Sequence, residues 1–181
     1  MTFEDIEKKR YRQTLNGSDY LNGDTGFGIY VKNMGKPDEV NCYPSYILKD
    51  GRNNIYTPIL ESVCDYFNKN QIKWWNLSAC HENGTVPPTH MISSQVACIN
   101  HLFPIRSDHD TVLEIAKSID SAITDVELLD NDTKHTRGYI SFEVVSESDH
   151  LNELKVGALR RGEMCTSVDA IIIGLRQDGT K

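Results

Sequence analysis

Apolar positions recur along the chain at two spacings, and the change from one to the other organises the sequence. After Thr57-Pro58, residues Ile59, Leu60, Val63, Tyr66 and Phe67 repeat at three- and four-residue intervals, the spacing of one helix face. A threonine suited to capping and a proline suited to the first turn predict a helix that begins there and ends near Asn70. Ser93 to Phe103 forms a second helical run, capped by serine and stopped by Pro104. A third fits 108–121, with Val112, Ile115, Ala116 and Ile119 on one face. At the N-terminus, Thr2 followed by Asp5 resembles a capping arrangement, and good helix formers up to Leu15 predict a helix over 3–14 with a mostly charged, solvated face.

Beyond residue 121 the period becomes strand-like. β-rich runs at 122–129 and 139–145 flank the turn-forming Asp130-Asn131-Asp132-Thr133, which predicts two strands joined as a hairpin. Residues 166–176 read as one strong strand, and Gln177-Asp178-Gly179-Thr180 as a turn that sends the chain back alongside it. Leu151 and Leu154 suggest a helical turn, and 157–162 a basic loop. The stretch 16–56 is dense in Gly, Asn, Asp and Pro, with one short strand at 26–31, and Trp74-Trp75 is β-prone. The expected class is α+β, a mixed sheet flanked by helices, with 1–56 an N-terminal helix and irregular segment packed on a core of 57–181.

Composition narrows the function classes. The chain has 181 residues, 39% hydrophobic and 25% charged, within the ordinary globular range. Apolar runs such as Ala170–Ile173 are far too short to span a bilayer, and the charged first ten residues lack the apolar region of a secretory signal. The expectation is a cytoplasmic protein with no membrane partner. Its five cysteines are odd in number, scattered and without a Cys-x-x-Cys pair, which fits reduced thiols. A net charge of −7 gives no general attraction to polyanions, so contact with nucleic acid requires a local basic patch. Lys155, Arg160 and Arg161 form such a cluster, placed either to neutralise backbone phosphates or as a solvated loop.

Two carboxylates stand out. Asp169 leads into the β-branched run Ala170–Ile173, and an ionised group inside a core is heavily penalised unless paired or metal-bound. Asp169 is therefore expected where its strand emerges, at an edge or a site. Glu143 alternates with Phe142 and Val144, so it should face away from them, as a site residue or as a solvent-facing strand carboxylate.

Together with His90–Asn100 (HMISSQVACIN) and Tyr139–Val145 (YISFEVV), the segment Cys165–Ala170 (CTSVDA) resembles bacterial restriction-endonuclease-like proteins with a PD-(D/E)XK core. The resemblance covers mainly residues 90–181. It implies a three- or four-stranded sheet flanked by helices that binds a divalent metal, Mg²⁺ or Mn²⁺, and hydrolyses DNA phosphodiesters. Asp169 matches the family's metal-binding aspartate, and Glu143 resembles an additional acidic residue near the metal. Ser94 and Gln95 resemble a helix motif near the site, where the glutamine would bond a phosphate or a ligand carboxylate; Ser94 also fits ordinary capping. The family's Glu-x-Lys does not follow, because none of the twelve residues after Asp169 is Glu. Antiparallel pairing about the Asp178-Gly179 turn would place it at about position 188. Glu153-Leu154-Lys155 and Glu7-Lys8-Lys9 have the spacing but precede Asp169, reversing the order.

The expectation is thus a fragment or remnant of a divalent-metal-dependent DNA endonuclease of restriction or defence type, incomplete at its C-terminus. The rival is a non-catalytic nucleic-acid- or protein-binding module on the same fold, with a homodimer open in either case. Cys80, His81, His90, Cys98 and His101 carry donors that suit zinc, as a small-molecule enzyme would need, but their spacings match no standard zinc module and read as structural.

Overall fold

The computed structural model describes residues 2–15, 21–31, 40–42, 46–75, 86–129, 137–145 and 167–181. The elements are α1 (Phe3–Leu15), β1 (Tyr30–Val31), β2 (Val40–Cys42), α2 (Leu60–Lys69), α3 (Ser94–Leu102), α4 (His109–Ile119), β3 (Ile123–Val126), β4 (Ser141–Val145), β5 (Ser167–Ile171) and β6 (Gly174–Arg176). Helices and small antiparallel ladders make this an α+β protein. Among the described residues, no helix is long and apolar enough to cross a membrane. The chain divides into two compact units, Met1–Leu60 with Lys73–Ala97, and Glu61–Ile72 with Cys98–Lys181.

In the first unit, local chemistry starts α1. The Asp5 amide donates to Thr2 Oγ1 at 3.2 Å and the Thr2 amide donates to Asp5 Oδ2 at 2.9 Å, reciprocal capping that satisfies donors a helix start would leave open. The irregular stretch is tied down by the buried Asp24. Its Oδ1 accepts from the Gly26 amide, and its Oδ2 accepts from the Lys49 and Asp50 amides and Asn53 Nδ2, at 2.9–3.2 Å. A buried carboxylate needs such donors to offset its lost hydration. Of the strand expected at 26–31, only Tyr30–Val31 pairs, with β2. Gly28 instead passes so close to the Leu48 carbonyl that a side chain there would collide with it.

In the second unit, α2 buries Val63, Tyr66 and Phe67. The Tyr66 ring meets Phe103 and Phe142 edge-on at centroid distances of 5.7 and 5.9 Å, and its hydroxyl accepts from the Phe142 amide at 3.3 Å. The Arg106 guanidinium lies 4.7 Å from the Tyr66 ring centre and donates to the Ile140 and Arg137 carbonyls, so a buried cation spans the rings and the chain entering β4. Asp108 caps α4, accepting from the Thr111 amide and hydroxyl at 3.3 and 2.7 Å. Val112 and Ala116 are buried as expected, whereas Ile119, placed on the same face by its spacing, is 81% exposed.

The strands depart most from expectation. Among the described residues, the runs at 122–129 and 139–145 do not pair as a hairpin; Leu129 instead forms an isolated antiparallel bridge with Gly138, just before the second run. β3 pairs with β6, and β4 with β5, both antiparallel. The single strand expected over 166–176 is divided at Ile172-Ile173, so its halves join different ladders. Gly174 begins the second half where a side chain would press into Ile123. Instead of a three- or four-stranded sheet, the described residues form three two-stranded ladders. Trp74-Trp75 forms no strand. The 3₁₀ turn before α2 is capped by Tyr56 rather than Thr57, without a side-chain bond, although Pro58 occupies its first turn as expected. The turn after β6 forms, with Gly179 at φ +80°. The segments around 151–154 and 157–162 lie outside the described residues.

Two outcomes follow from this packing. Phe142→Ala should lower unfolding free energy by about 3–5 kcal/mol, because it empties the space between Tyr66 and Phe103; urea titration measures it. His109 joins α4 to β3 through Nε2 and Asp125 Oδ1 at 2.7 Å, with Nδ1 facing Asp110 Oδ1 at 2.9 Å. Hydrogen bonds to Asp110 and Asp125 raise its pKa above the usual 6.5. The stability it adds is fully present below the unfolded value and lost as pH rises through the raised folded one. The urea midpoints of wild type and His109→Gln should therefore differ most in acid and converge above neutrality.

Candidate functional site

The site is built on the β4–β5 ladder. Ser141 pairs with Ile171, Phe142 with Ala170, Val144 with Val168, and Val145 with Ser167. This register is constant on both sides of the midpoint, so Glu143 stands across from Asp169. Side chains of facing pairs share a sheet face, and the next pair on that face lies two residues along. Glu143, Asp169 and Ser167 therefore belong to one face, and the Ser167 hydroxyl donates to Glu143 Oε2 at 2.7 Å.

Glu143 and Asp169 sit in different surroundings. Glu143 is only 1% exposed and adopts φ +52°, the left-handed region that costs a non-glycine residue about 1–2 kcal/mol. Desolvating its carboxylate adds a penalty of several kcal/mol unless partners offset it. The carboxylate has partners that offset its burial, Ser167 among them, whereas the left-handed backbone is the kind of strain that persists where surrounding structure enforces it, often at functional sites. Asp169 lies exposed, so the pair spans the border between interior and solvent.

The structure removes one alternative for Glu143 and one premise of the expectation for Asp169. Glu143 is not solvent-facing, because Ser141, Phe142 and Glu143 are buried in succession and β4 is covered on both sides there. Asp169 does not lie at the mouth of a buried strand. β5 is at most half-buried, with Val168 53% exposed, so its β-branched composition reflects strand propensity more than core position.

Cys98 of α3 completes the neighbourhood. Burial, then the charges of Asp169 and Glu143, push its thiol up to about 11. Negative charge is thus concentrated where α3 approaches the ladder. Two carboxylates suit a hard divalent ion such as Mg²⁺, which takes one or two of them and keeps several waters. Among the described residues, no group of three or more His, Cys, Asp and Glu side chains is arranged to hold a metal.

The other residues singled out from sequence fall elsewhere. Ser93, not Ser94, accepts the Val96 amide at the start of α3, and Ser94 is exposed. Gln95 is buried; its Oε1 accepts from the Trp75 amide at 3.0 Å and its Nε2 donates to the Lys73 carbonyl at 3.4 Å, which fastens the segment carrying the tryptophans. His90 accepts the Ile92 amide through Nδ1 at 3.1 Å, His101 is exposed, and Glu7 pairs with Arg10 on α1. Lys155, Arg160, Arg161, Glu153, Cys80 and His81 lie outside the described residues. Ser167 and Cys98 were not singled out as neighbours of the carboxylates. Ser167 carried a usable signal, since two residues before Asp169 in a strand is the same face; the approach of Cys98 depends on packing.

A family model described as Restriction Endonuclease associating with ARP, REase-ARP, matches residues 4–179. The chain belongs to this family. REase-ARP is thus a restriction-endonuclease-related family that takes in α1 and the whole N-terminal unit, well beyond the 90–181 stretch that carried the resemblance. No curated protein and no solved structure matches the chain.

The electrostatics of the site yield a direct check. With its thiol raised from 9.0 to about 11, Cys98 should react with iodoacetamide at pH 8 roughly ten- to a hundredfold more slowly than an unperturbed thiol, since each pKa unit is a tenfold change in thiolate. Asp169→Asn should accelerate the reaction by removing a negative neighbour; peptide-resolved mass spectrometry reads both rates.

Proposed function

We propose that this REase-ARP chain contributes Glu143 and Asp169 as oxygen ligands for Mg²⁺ or Mn²⁺ in a PD-(D/E)XK-type nuclease site acting on DNA in restriction or defence. One observation carries the reading: the ladder register sets Glu143 across from Asp169 while Glu143 is held buried at φ +52°. Neither a salt-bridged surface strand nor an ordinary core strand calls for that combination.

Within this reading the two carboxylates divide the work. Buried Glu143, bonded to Ser167, is the fixed ligand, because its position is enforced by both strands. Exposed Asp169 is the ligand at the solvent side, where a phosphate would approach. A bound divalent ion supplies charge for the phosphate oxygens and lowers the pKa of a coordinated water. The carboxylates also keep phosphate away until a cation is present, since unneutralised negative charge repels it. DNA engagement at this point is therefore metal-dependent. The basic cluster Lys155, Arg160 and Arg161 would serve the flanking backbone.

Manganese binding followed by electron paramagnetic resonance, and cleavage of duplex DNA with and without Mg²⁺ or Mn²⁺, test the proposal. Saturable Mn²⁺ binding should weaken at least tenfold in Asp169→Asn and in Glu143→Gln, and metal-dependent cleavage should disappear with it. Cleavage retained in full by Asp169→Asn would overturn the assignment.

A further inference from the structure

We infer that Ser167 is a positioning residue for Glu143 and sets the affinity of the carboxylate pair for a divalent cation; this inference rests on the metal-site reading above. The argument begins with the strain. Left-handed φ at Glu143 relaxes unless something beyond the residue's own backbone preference holds it. The neighbours Phe142 and Val144, in ordinary register with β5, hold the backbone but do not orient the carboxylate.

Ser167 is placed to do so. It pairs with Val145, one step diagonally from Glu143 on the shared face. Its hydroxyl donates to Glu143 Oε2 at 2.7 Å, within the range of strong hydrogen bonds to ionised acceptors. The bond fixes the carboxylate in rotation as well as in place. Ser167 stands two residues before Asp169 on the same strand, so one short segment carries both a ligand and the group that orients the opposing ligand. Outer partners of ligating carboxylates typically change metal affinity tenfold or more when removed.

The test compares wild type, Ser167→Ala and Ser167→Thr, with Asp169→Asn as reference, by Mn²⁺ titration under electron paramagnetic resonance. Urea midpoints establish that each variant is folded. Ser167→Ala should bind Mn²⁺ about tenfold more weakly, and Ser167→Thr, which restores a hydroxyl, should recover most of the loss. In metal-free protein, the Glu143 side-chain carboxyl ¹³C resonance should shift in Ser167→Ala and return toward its wild-type position in Ser167→Thr, a signature that a general packing role would not reproduce. Equal Mn²⁺ affinity in wild type and Ser167→Ala, with loss in Asp169→Asn, would overturn the role of Ser167 and leave the metal-site reading standing. Absence of saturable binding by wild type, or binding unchanged in Asp169→Asn, would overturn both.

Discussion

The antiparallel pairing of β4 with β5 is the constraint on which the candidate chemistry depends. It keeps one register across a residue whose backbone is in the left-handed region, and so forces a buried carboxylate to stand opposite an exposed one. Neither carboxylate would be informative alone. An exposed aspartate on a half-open strand is ordinary, and a single buried glutamate is commonly satisfied by local donors. Their opposition concentrates charge at one point, close enough to Cys98 to add to the effect of burial in raising its thiol pKa.

The ladder is held in place from behind. Phe142, adjacent to Glu143, is fully buried against Tyr66 and Phe103, and its amide is bound by the Tyr66 hydroxyl. Arg106 binds the carbonyl of Ile140 immediately before the strand. Rigid support of this kind allows a strained residue to persist, because relaxing φ at Glu143 would disturb close-packed rings on its neighbour. The packing of the second unit and the geometry of the site are therefore one arrangement.

A restriction-endonuclease-related family and an acidic chain are physically compatible. With a net charge of −7, the protein has no long-range attraction to DNA, and a carboxylate pair strengthens the repulsion locally. In the proposed site, a bound divalent cation would reverse the sign where a phosphate would have to come close. Under that proposal, metal binding and substrate binding would be coupled by Coulomb's law before any chemistry is considered.

Local signals in the sequence determined the helices. The Thr2 and Asp5 capping pair and the i, i+3, i+4 recurrence of Val63, Tyr66 and Phe67 act over one or two turns, so they were legible without knowledge of the fold. The candidacy of Asp169 and Glu143 was legible too, through resemblance and through the cost of placing a carboxylate beside apolar residues. Strand pairing was not. β-rich runs state that a segment is extended but not which partner it takes, because partners are chosen by contacts distant in sequence. Hence residues 122–129 paired with the end of the chain rather than with 139–145, and 166–176 divided between two ladders. Burial was also decided in three dimensions: Ile119 and Val168 carry apolar side chains into solvent, while Glu143 is buried. Whether two carboxylates 26 positions apart, at 143 and 169, could meet, and whether a serine would bind one of them, depended on the register of one antiparallel pair, which only the tertiary structure decided.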